Sequence, residues 1–345
     1  MYQPILKGKK GEFDAWGKVS GARRENMVPL FEVVAENGPE ADLKKFNSYL
    51  ADAIVPGDLI AIDAVQLGSS SVTDDEKKAY SWLKSALSST VLAFRPVVHL
   101  EDDEALVRDG LAVALDGIVL RIGGTDGEPH PEEEDTTLAG WCSLFGIATT
   151  TVHLLIDFES IHGAELASQV KMADAYLRWA DANGPWASVT LASGAFPSQI
   201  TSVPKGVPFP IPRNDAHLWN HAKKTSPVPD LHYGDYGIRH PSLPTAGFGR
   251  PLPNLRYTAD KEWIVWREAR LTKYPNSSFF SACAGIVGHS SFKGATFSWA
   301  DNVIDTKSRL QPGPKGAGTG TDWITYGMNH HFELVVDRLT TGGAA

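Results

Sequence analysis

Short apolar runs that end in a polar or charged residue recur every 30 to 40 residues along the chain. They cover 27–32 (ending in Glu32), 59–63 (Asp63), 92–99 (His99), 117–121 (Arg121), 152–157 (Asp157), 187–193 (Ser193) and 231–235 (Asp235). Runs that are apolar at successive positions are strands buried on both faces, and the gaps between them are long enough for helices. The pattern predicts an α/β fold: a single (β/α)8 barrel of TIM type over 1–345, with an N-terminal extension and an elaborated C-terminal third. A doubly wound open sheet is the alternative.

Helical spacing fills several gaps. Leu43, Phe46 and Leu50 share a face within 39–53, Tyr80, Leu83 and Leu87 follow an acidic start at 73–76, and Leu106, Val107, Leu111 and Val113 follow 101–104. Acidic residues at these starts suit the helix dipole better than a metal cage; 130–135 is read as a helix start or an exposed loop. A longer helix over 163–183 stops at Asn183-Gly184-Pro185. The segment 195–215 reads as a Pro-rich loop over the barrel mouth, with a short helix at 215–223. Beyond it, 255–258 and 263–266 read as a strand pair, and 279–287 and 323–338 as helices. The glycine-rich stretch 311–322 reads as a lid over the mouth, and 340–345 as a flexible tail. The eighth barrel strand is expected at 295–301, with 263–267 as its rival.

Composition narrows the partners. A formal charge of −9 argues against generic duplex DNA binding, although Lys7, Lys9 and Lys10, with Arg23 and Arg24, leave room for a local basic groove. No stretch has the run of apolar residues needed to span a membrane, and Met-Tyr-Gln-Pro opens no leader core, so a cytoplasmic protein is expected. Cys142 and Cys283 lack metal-ligand spacing and read as small buried hydrophobes. Of ten tryptophans, Trp263, Trp266 and Trp299 fall in the irregular third, where they serve a core or a stacking surface equally well.

The chemistry is expected where strands end. In a closed barrel Glu32, Asp63, His99, Arg121, Asp157 and Asp235 converge on one mouth. Glu32, Asp63 and Asp157 would hold Mg²⁺ or another hard divalent cation, Asp235 or His99 would move a proton, and Arg121 would grip a phosphate or carboxylate. The competing reading pairs these carboxylates with Arg95 and Arg121 inside the barrel. Neighbours on a helix point about 100° apart, so His330 and His331 do not share one metal from a regular helix; a substrate contact suits one of them better. The segment 313–322 lacks the ending of a phosphate-binding loop, and the chain has no nucleophile elbow, zincin helix or kinase signature.

Residues 2–13 (YQPILKGKKGEF) and Pro29-Leu30-Phe31-Glu32 are followed by Phe196-Pro197, Arg213 with Trp219, and Gly234-Asp235-Tyr236-Gly237. Ser298-Trp299-Ala300-Asp301 and Asn329-His330-His331 complete the series. Together, in this order, they resemble the "beta protein" family of T-even phages and bacteria along nearly the whole chain. Ala300 departs from the family's glycine before that aspartate. Members lie in phages and in bacterial loci that look like mobile or defence islands, which implies a role in phage–host conflict. The family motifs bring in Lys7, Glu12, Arg213, Asp301, Asn329 and His330. On this basis Lys7, Arg213 and Asn329 are expected to join Arg121 in binding substrate, and His330 to join His99 and Asp235 in catalysis.

Two functions follow as expectations. One is a metal-dependent hydrolase or lyase, such as a phosphohydrolase or phosphodiesterase, acting on a phosphate-containing small molecule or nucleic-acid end. The other is a non-catalytic recognition subunit that binds a ligand and reports to a protein partner.

Overall fold

A computed structural model describes residues 1–68, 77–88, 93–123, 131–243 (131–136 as backbone), 251–342 and 344–345. In chain order its helices are α1 (Lys10–Trp16), α2 (Gly21–Arg24), α3 (Pro39–Ala53), α4 (Ala79–Leu87), α5 (Glu104–Val113), α6 (Pro131–Phe145), α7 (Leu166–Asn183), α8 (Asn214–Thr225), α9 (Phe279–Val287), α10 (Trp299–Ser308) and α11 (Gly320–Thr341). The strands are β1 (Tyr2–Leu6), β2 (Leu30–Glu32), β3 (Leu59–Asp63), β4 (Ala93–His99), β5 (Ile118–Ile122), β6 (Val152–Ser160), β7 (Ser188–Gly194), β8 (Pro208–Pro212), β9 (His232–Asp235), β10 (Asn254–Thr258) and β11 (Glu262–Arg267). The acidic start expected at 73–76 and His130 lie outside the described residues.

Eight parallel strands close a barrel in the order β1-β2-β3-β4-β5-β6-β7-β9, with β9 returning to pair β1 (Gln3 opposite Gly234). This is the expected (β/α)8 architecture, not the open sheet. The eighth strand, however, comes from the start of the chain. Tyr2–Leu6, read as an extension, is the first barrel strand and is buried throughout. Gln3 and Pro4 break its apolar run, but Gln3 faces inward and accepts a hydrogen bond from Thr190 Oγ1 at 2.8 Å.

Neither stretch expected to close the barrel does so. Ser298 and Asp301 form a helix cap: Ser298 Oγ accepts from the Asp301 amide at 3.0 Å, and α10 begins there. Trp263–Arg267 lies inside β11, the central strand of an antiparallel sheet ordered β10-β11-β8. Its alternation serves two cores. Trp263 and Val265 join the barrel's outer core, whereas Ile264 joins a second core with Leu255, Tyr257, Phe279 and Ile304.

The segment 195–215, expected as a loop, therefore contains strand β8. Its prolines fit because β8 is an edge strand. The tail also differs from expectation: α11 runs to Thr341, and Ala345 is buried, its amide donating to Asn220 Oδ1 at 3.0 Å.

Parity decides what faces the barrel axis. Ile5, Leu30, Ala61, Val97, Val119, Leu155 and Ala192 form the internal plug, with Tyr236 above them. Stepping two residues toward the strand ends brings Lys7, Glu32, Asp63, His99, Arg121 and Asp157 to the same mouth. Gly8 makes the first exit possible. Its φ is +59°, and a Cβ there would lie 2.5 Å from the Glu32 carbonyl oxygen.

Candidate functional site

The mouth holds a cavity of about 430 Å³ whose wall includes Lys7, Glu32, Asp63, His99, Arg121, Asp157 and Tyr236. Its centre is the Arg121 guanidinium. Nε and Nη2 donate to Asp157 Oδ2 at 3.0 and 2.6 Å, and Nη1 donates to Glu32 Oε1 and Asp63 Oδ2, each at 2.9 Å. Nη2 also donates to the Tyr236 hydroxyl at 2.9 Å, and that hydroxyl donates to Asp157 Oδ2 at 2.6 Å. A guanidinium has five N–H donors, and all five are used here.

This arrangement bears on two expectations. Glu32, Asp63 and Asp157 do come together, but around a side-chain cation. Among the described residues no group of three or more His, Cys, Asp or Glu is arranged to hold a metal ion. The set does not fit a divalent cation, because Arg121 stands where the ion would sit. Nor has Arg121 a donor left for a phosphate; it binds its own carboxylates, as the competing reading anticipated for it, whereas Arg95 pairs with Asp116 away from the mouth. Lys7 is placed as expected at the mouth, ion-paired with Glu32 and 5.3 Å from the centroid of the Tyr236 ring.

His99 is the mouth's least enclosed network member, with its Nε2 3.3 Å from Asp63 Oδ2 and its side chain 23% exposed. Burial opposes protonation of the imidazole, but the hydrogen bond and charge of Asp63 prevail and hold its pKa above the ordinary 6.5. Burial likewise opposes ionisation of Asp63, yet His99 and Arg121 hold that carboxyl well below its usual value.

Besides Glu101, read as part of a helix start, two residues at the mouth escaped the sequence reading. β6 continues past Asp157, so Glu159 also lines the cavity. Its amide donates to Asp157 Oδ1 at 2.8 Å, and its backbone is left-handed at φ 47°. Such conformations in residues other than glycine gather at functional sites. Burial, then the charge of Asp157, raises the Glu159 carboxyl. Tyr236 is the second. The signal for Tyr236 was parity, since it lies two residues past Gly234, which pairs with inward-facing Gln3; at Glu159 the register of β6 shifts, and alternation gave no signal.

Asp235 is not in the mouth. It faces outward from β9 and sits between the barrel wall, α8 and α11. It accepts from Tyr2 Oη at 2.7 Å, Tyr233 Oη at 2.9 Å and the Gly237 amide at 2.9 Å, with His331 Nε2 at 2.8 Å. Burial opposes its ionisation, but His331 and Arg213 hold it low, whereas burial raises neighbouring Asp215 against the pull of Arg213. Arg213 belongs to this sealed network too, its Nη2 donating to the Tyr233 hydroxyl at 3.1 Å.

The remaining expected residues brace the C-terminal core. His330 Nδ1 lies 2.8 Å from Asp301 Oδ2 and its Nε2 lies 2.9 Å from the Thr258 carbonyl oxygen, while its ring stacks on Tyr257. Asn329 accepts from the Ala300 amide and donates to the Ala15 carbonyl. Glu12 caps α1 through the Lys9 amide at 3.1 Å. All are buried away from the mouth cavity, so the structure does not bring His330, Arg213 or Asn329 to a common site with His99. The stretches 195–215 and 311–322 contribute nothing to its wall among the described residues.

The fold and the polar mouth thus define a closed parallel (β/α)8 barrel with an ionic network at the carboxyl ends of its strands. The chain belongs to the Beta protein family, whose pattern matches residues 2–337. Among curated proteins none matches the chain. Similar solved structures include Bacteroides uniformis beta-glucuronidase 2 bound to cyclophellitol-6-carboxylate aziridine, at 12% identity and TM-score 0.32, over 48% of this chain and 23% of that one. A Coccidioides immitis protein assigned as a fructose-1,6-biphosphate aldolase matches at 12% identity and TM-score 0.25, over 69% and 77%. The chain spans less than a quarter of the glucuronidase's length, and neither likeness bears on its chemistry. Among the described residues no helix is long and apolar enough to cross a membrane.

Proposed function

We propose that the barrel mouth is a general acid–base site and that the protein is a hydrolase or lyase acting on a small polar molecule without net negative charge. The observation that carries this reading is the His99–Asp63 pair on the cavity wall. A histidine held above its ordinary pKa by an ionised partner keeps a deliverable proton near neutral pH, and it is open enough to reach a ligand. Glu159, raised by burial and set in a strained backbone, supplies a second proton-transfer group.

Charge directs the substrate class. Among the described lining residues Glu32, Asp63, Glu101, Asp157 and Glu159 oppose Lys7 and Arg121, with His99 a third positive charge when protonated. A phosphate entering this mouth meets excess like charge and no free arginine donor, which turns the reading away from a phosphohydrolase. The family resemblance adds a role in phage–host conflict as the setting.

The test is a turnover screen with chromogenic nitrophenyl glycosides, neutral esters and phosphate esters, using wild type, His99→Asn and Glu159→Gln. The expected result is turnover of a neutral class, reduced about 100-fold or more in His99→Asn with the fold intact by circular dichroism. Turnover confined to phosphate esters, or indifferent to both substitutions, contradicts the reading. The internally satisfied wall also suits ligand capture without turnover; in that case His99→Asn weakens binding and no compound is consumed.

A further inference from the structure

Beside the mouth lies a second cavity of opposite charge. It measures about 570 Å³, and the charged residues in its described wall are Lys9, Lys10, Lys45, Arg239 and Arg256, with no aspartate or glutamate among them. The chain links the two cavities directly, since Lys7 and Lys9 flank Gly8, and Arg239 precedes the mouth residue Pro241 by two positions.

Most of these cations have carboxylates behind them. Lys9 and Lys45 share Glu36, Lys10 pairs with Asp14 at 2.8 Å, and Arg239 lies 3.6 Å from Glu12. With these three carboxylates and Asp322, which caps α11 beside the cavity, counted, the described surroundings keep one positive charge in excess. Arg256 is the clearest case. Its Nη1 donates to the Ile238 carbonyl at 2.7 Å and its guanidinium rests 4.6 Å from the centroid of the Phe196 ring, but it makes no ion pair among the described residues. Its Nε is sealed from solvent without a hydrogen-bond partner among the described residues. Burial, then the charge of Arg239, pushes its pKa down to about 9. A half-buried cation lacking a counter-ion among the described residues is costly to fold, and a ligand anion would relieve it.

The backbone completes the wall. The first turn of α11, Gly320 and Thr321, borders the cavity; the Thr319 amide at that start already donates to Asp322 Oδ2 at 2.7 Å, so the cavity's positive charge comes from its side chains. Glycines permit the close approach: a Cβ on Gly11 would lie 3.0 Å from the Thr321 carbonyl oxygen, and one on Gly320 would lie 3.1 Å from Pro251.

We infer that this cavity binds a phosphate-bearing small molecule of nucleotide or sugar-phosphate size, anchored by Arg256 and Arg239 at the start of α11. The volume suits such a ligand. The site stands independently of the chemistry proposed for the mouth. It also gives Lys9 and Lys10 a role that a merely solvated surface would not.

The experiment is isothermal titration of the full chain with AMP, ribose 5-phosphate and inorganic phosphate, each at low and high salt. Wild type is compared with Arg256→Met, Lys45→Ala and His99→Asn. The expected result is binding that weakens with salt, falls about tenfold or more in Arg256→Met, falls more modestly in Lys45→Ala, and is unchanged in His99→Asn. Preference for AMP over ribose 5-phosphate identifies a nucleotide site, and equal affinity a sugar-phosphate site; either supports the inference. Without ligand, Arg256→Met should be at least as stable as wild type, because it removes an unpaired, half-buried charge. Lys45→Ala, on the exposed rim, decides the matter if Arg256→Met fails to fold. Absence of wild-type binding to all three probes overturns the inference. So does affinity unchanged in both cavity variants, or a loss in His99→Asn as large as in Arg256→Met, which would place the probes in the mouth.

Discussion

Arg121 places two of its nitrogens, Nε and Nη2, on a single oxygen of Asp157, at 3.0 and 2.6 Å. The rest of its donors go to Glu32, Asp63 and Tyr236, so one cation organises three carboxylates from three other strands. Removing one partner of a buried ion cluster leaves the others unpaired, which is far costlier than the cluster's net contribution suggests.

Arg121→Met should therefore destabilise the protein by about 3–5 kcal/mol in urea unfolding. The loss should shrink in acid, where protonated carboxyl groups no longer need the cation. A variant within about 0.5 kcal/mol of wild type, the range of ordinary surface substitutions, would show that the network is not holding the mouth together.

Asp235 presents the opposite case to the mouth residues. Its four hydrogen-bond partners are Tyr2, Tyr233, Gly237 and His331, and Arg213 lies 3.9 Å away; none of them reaches the mouth cavity. Asp235→Asn should lower stability by about 3 kcal/mol, as for a buried charge stripped of charge-assisted hydrogen bonds. Ligand affinity or turnover per folded molecule should stay at the wild-type level. A selective loss of turnover in a stably folded Asp235→Asn would return this residue to the catalytic set.

That reversal also marks how far the chain could be read from its sequence. Glu32, Asp63, His99, Arg121 and Asp157 were legible as mouth residues because each ends an apolar run in phase with an inward-facing neighbour. Asp235 ends such a run too, but one step out of phase, and a one-residue step moves a side chain to the other face of the wall. Tyr236 takes the inward place. β1 was hidden because Gln3 and Pro4 interrupt its apolar run, and without it the barrel lacked a strand that was then sought in the C-terminal third. Glu159 was missed because β6 continues beyond its apolar part. The basic cavity unites Lys9 and Lys10 of the visible basic cluster and Gly320 of the glycine-rich stretch with Lys45, Arg239 and Arg256, which no pattern along the chain connects to them.

Gly8 connects β1 to α1 under two constraints, a φ of +59° and a Cβ position 2.5 Å from the Glu32 carbonyl oxygen. Gly8→Ala should cost about 2 kcal/mol or more from left-handed strain and crowding together. It should also disturb both cavities, since Lys7 and Lys9 flank the site. Unchanged thermal stability would mean that this connection is more yielding than its geometry indicates.

Acid should act through Asp63. Its carboxyl is held below its ordinary value of 3.8, so the stability it contributes is present above that pH and is lost as pH falls toward the folded-state value. Urea unfolding from about pH 5 to about pH 2 should show a decline that is shallower in Asp63→Asn. An identical decline in both proteins would assign the acid sensitivity to other groups.

His99 carries the central claim, and NMR titration of its imidazole in wild type and in Asp63→Asn tests it most directly. Its folded-state pKa is raised, so its contribution to stability is complete below 6.5 and disappears as pH rises through the raised value. The account predicts a wild-type midpoint above 6.5 that drops clearly when Asp63 loses its charge. A wild-type midpoint at or below 6.5, or one indifferent to Asp63→Asn, would contradict a proton-transfer pair at the barrel mouth.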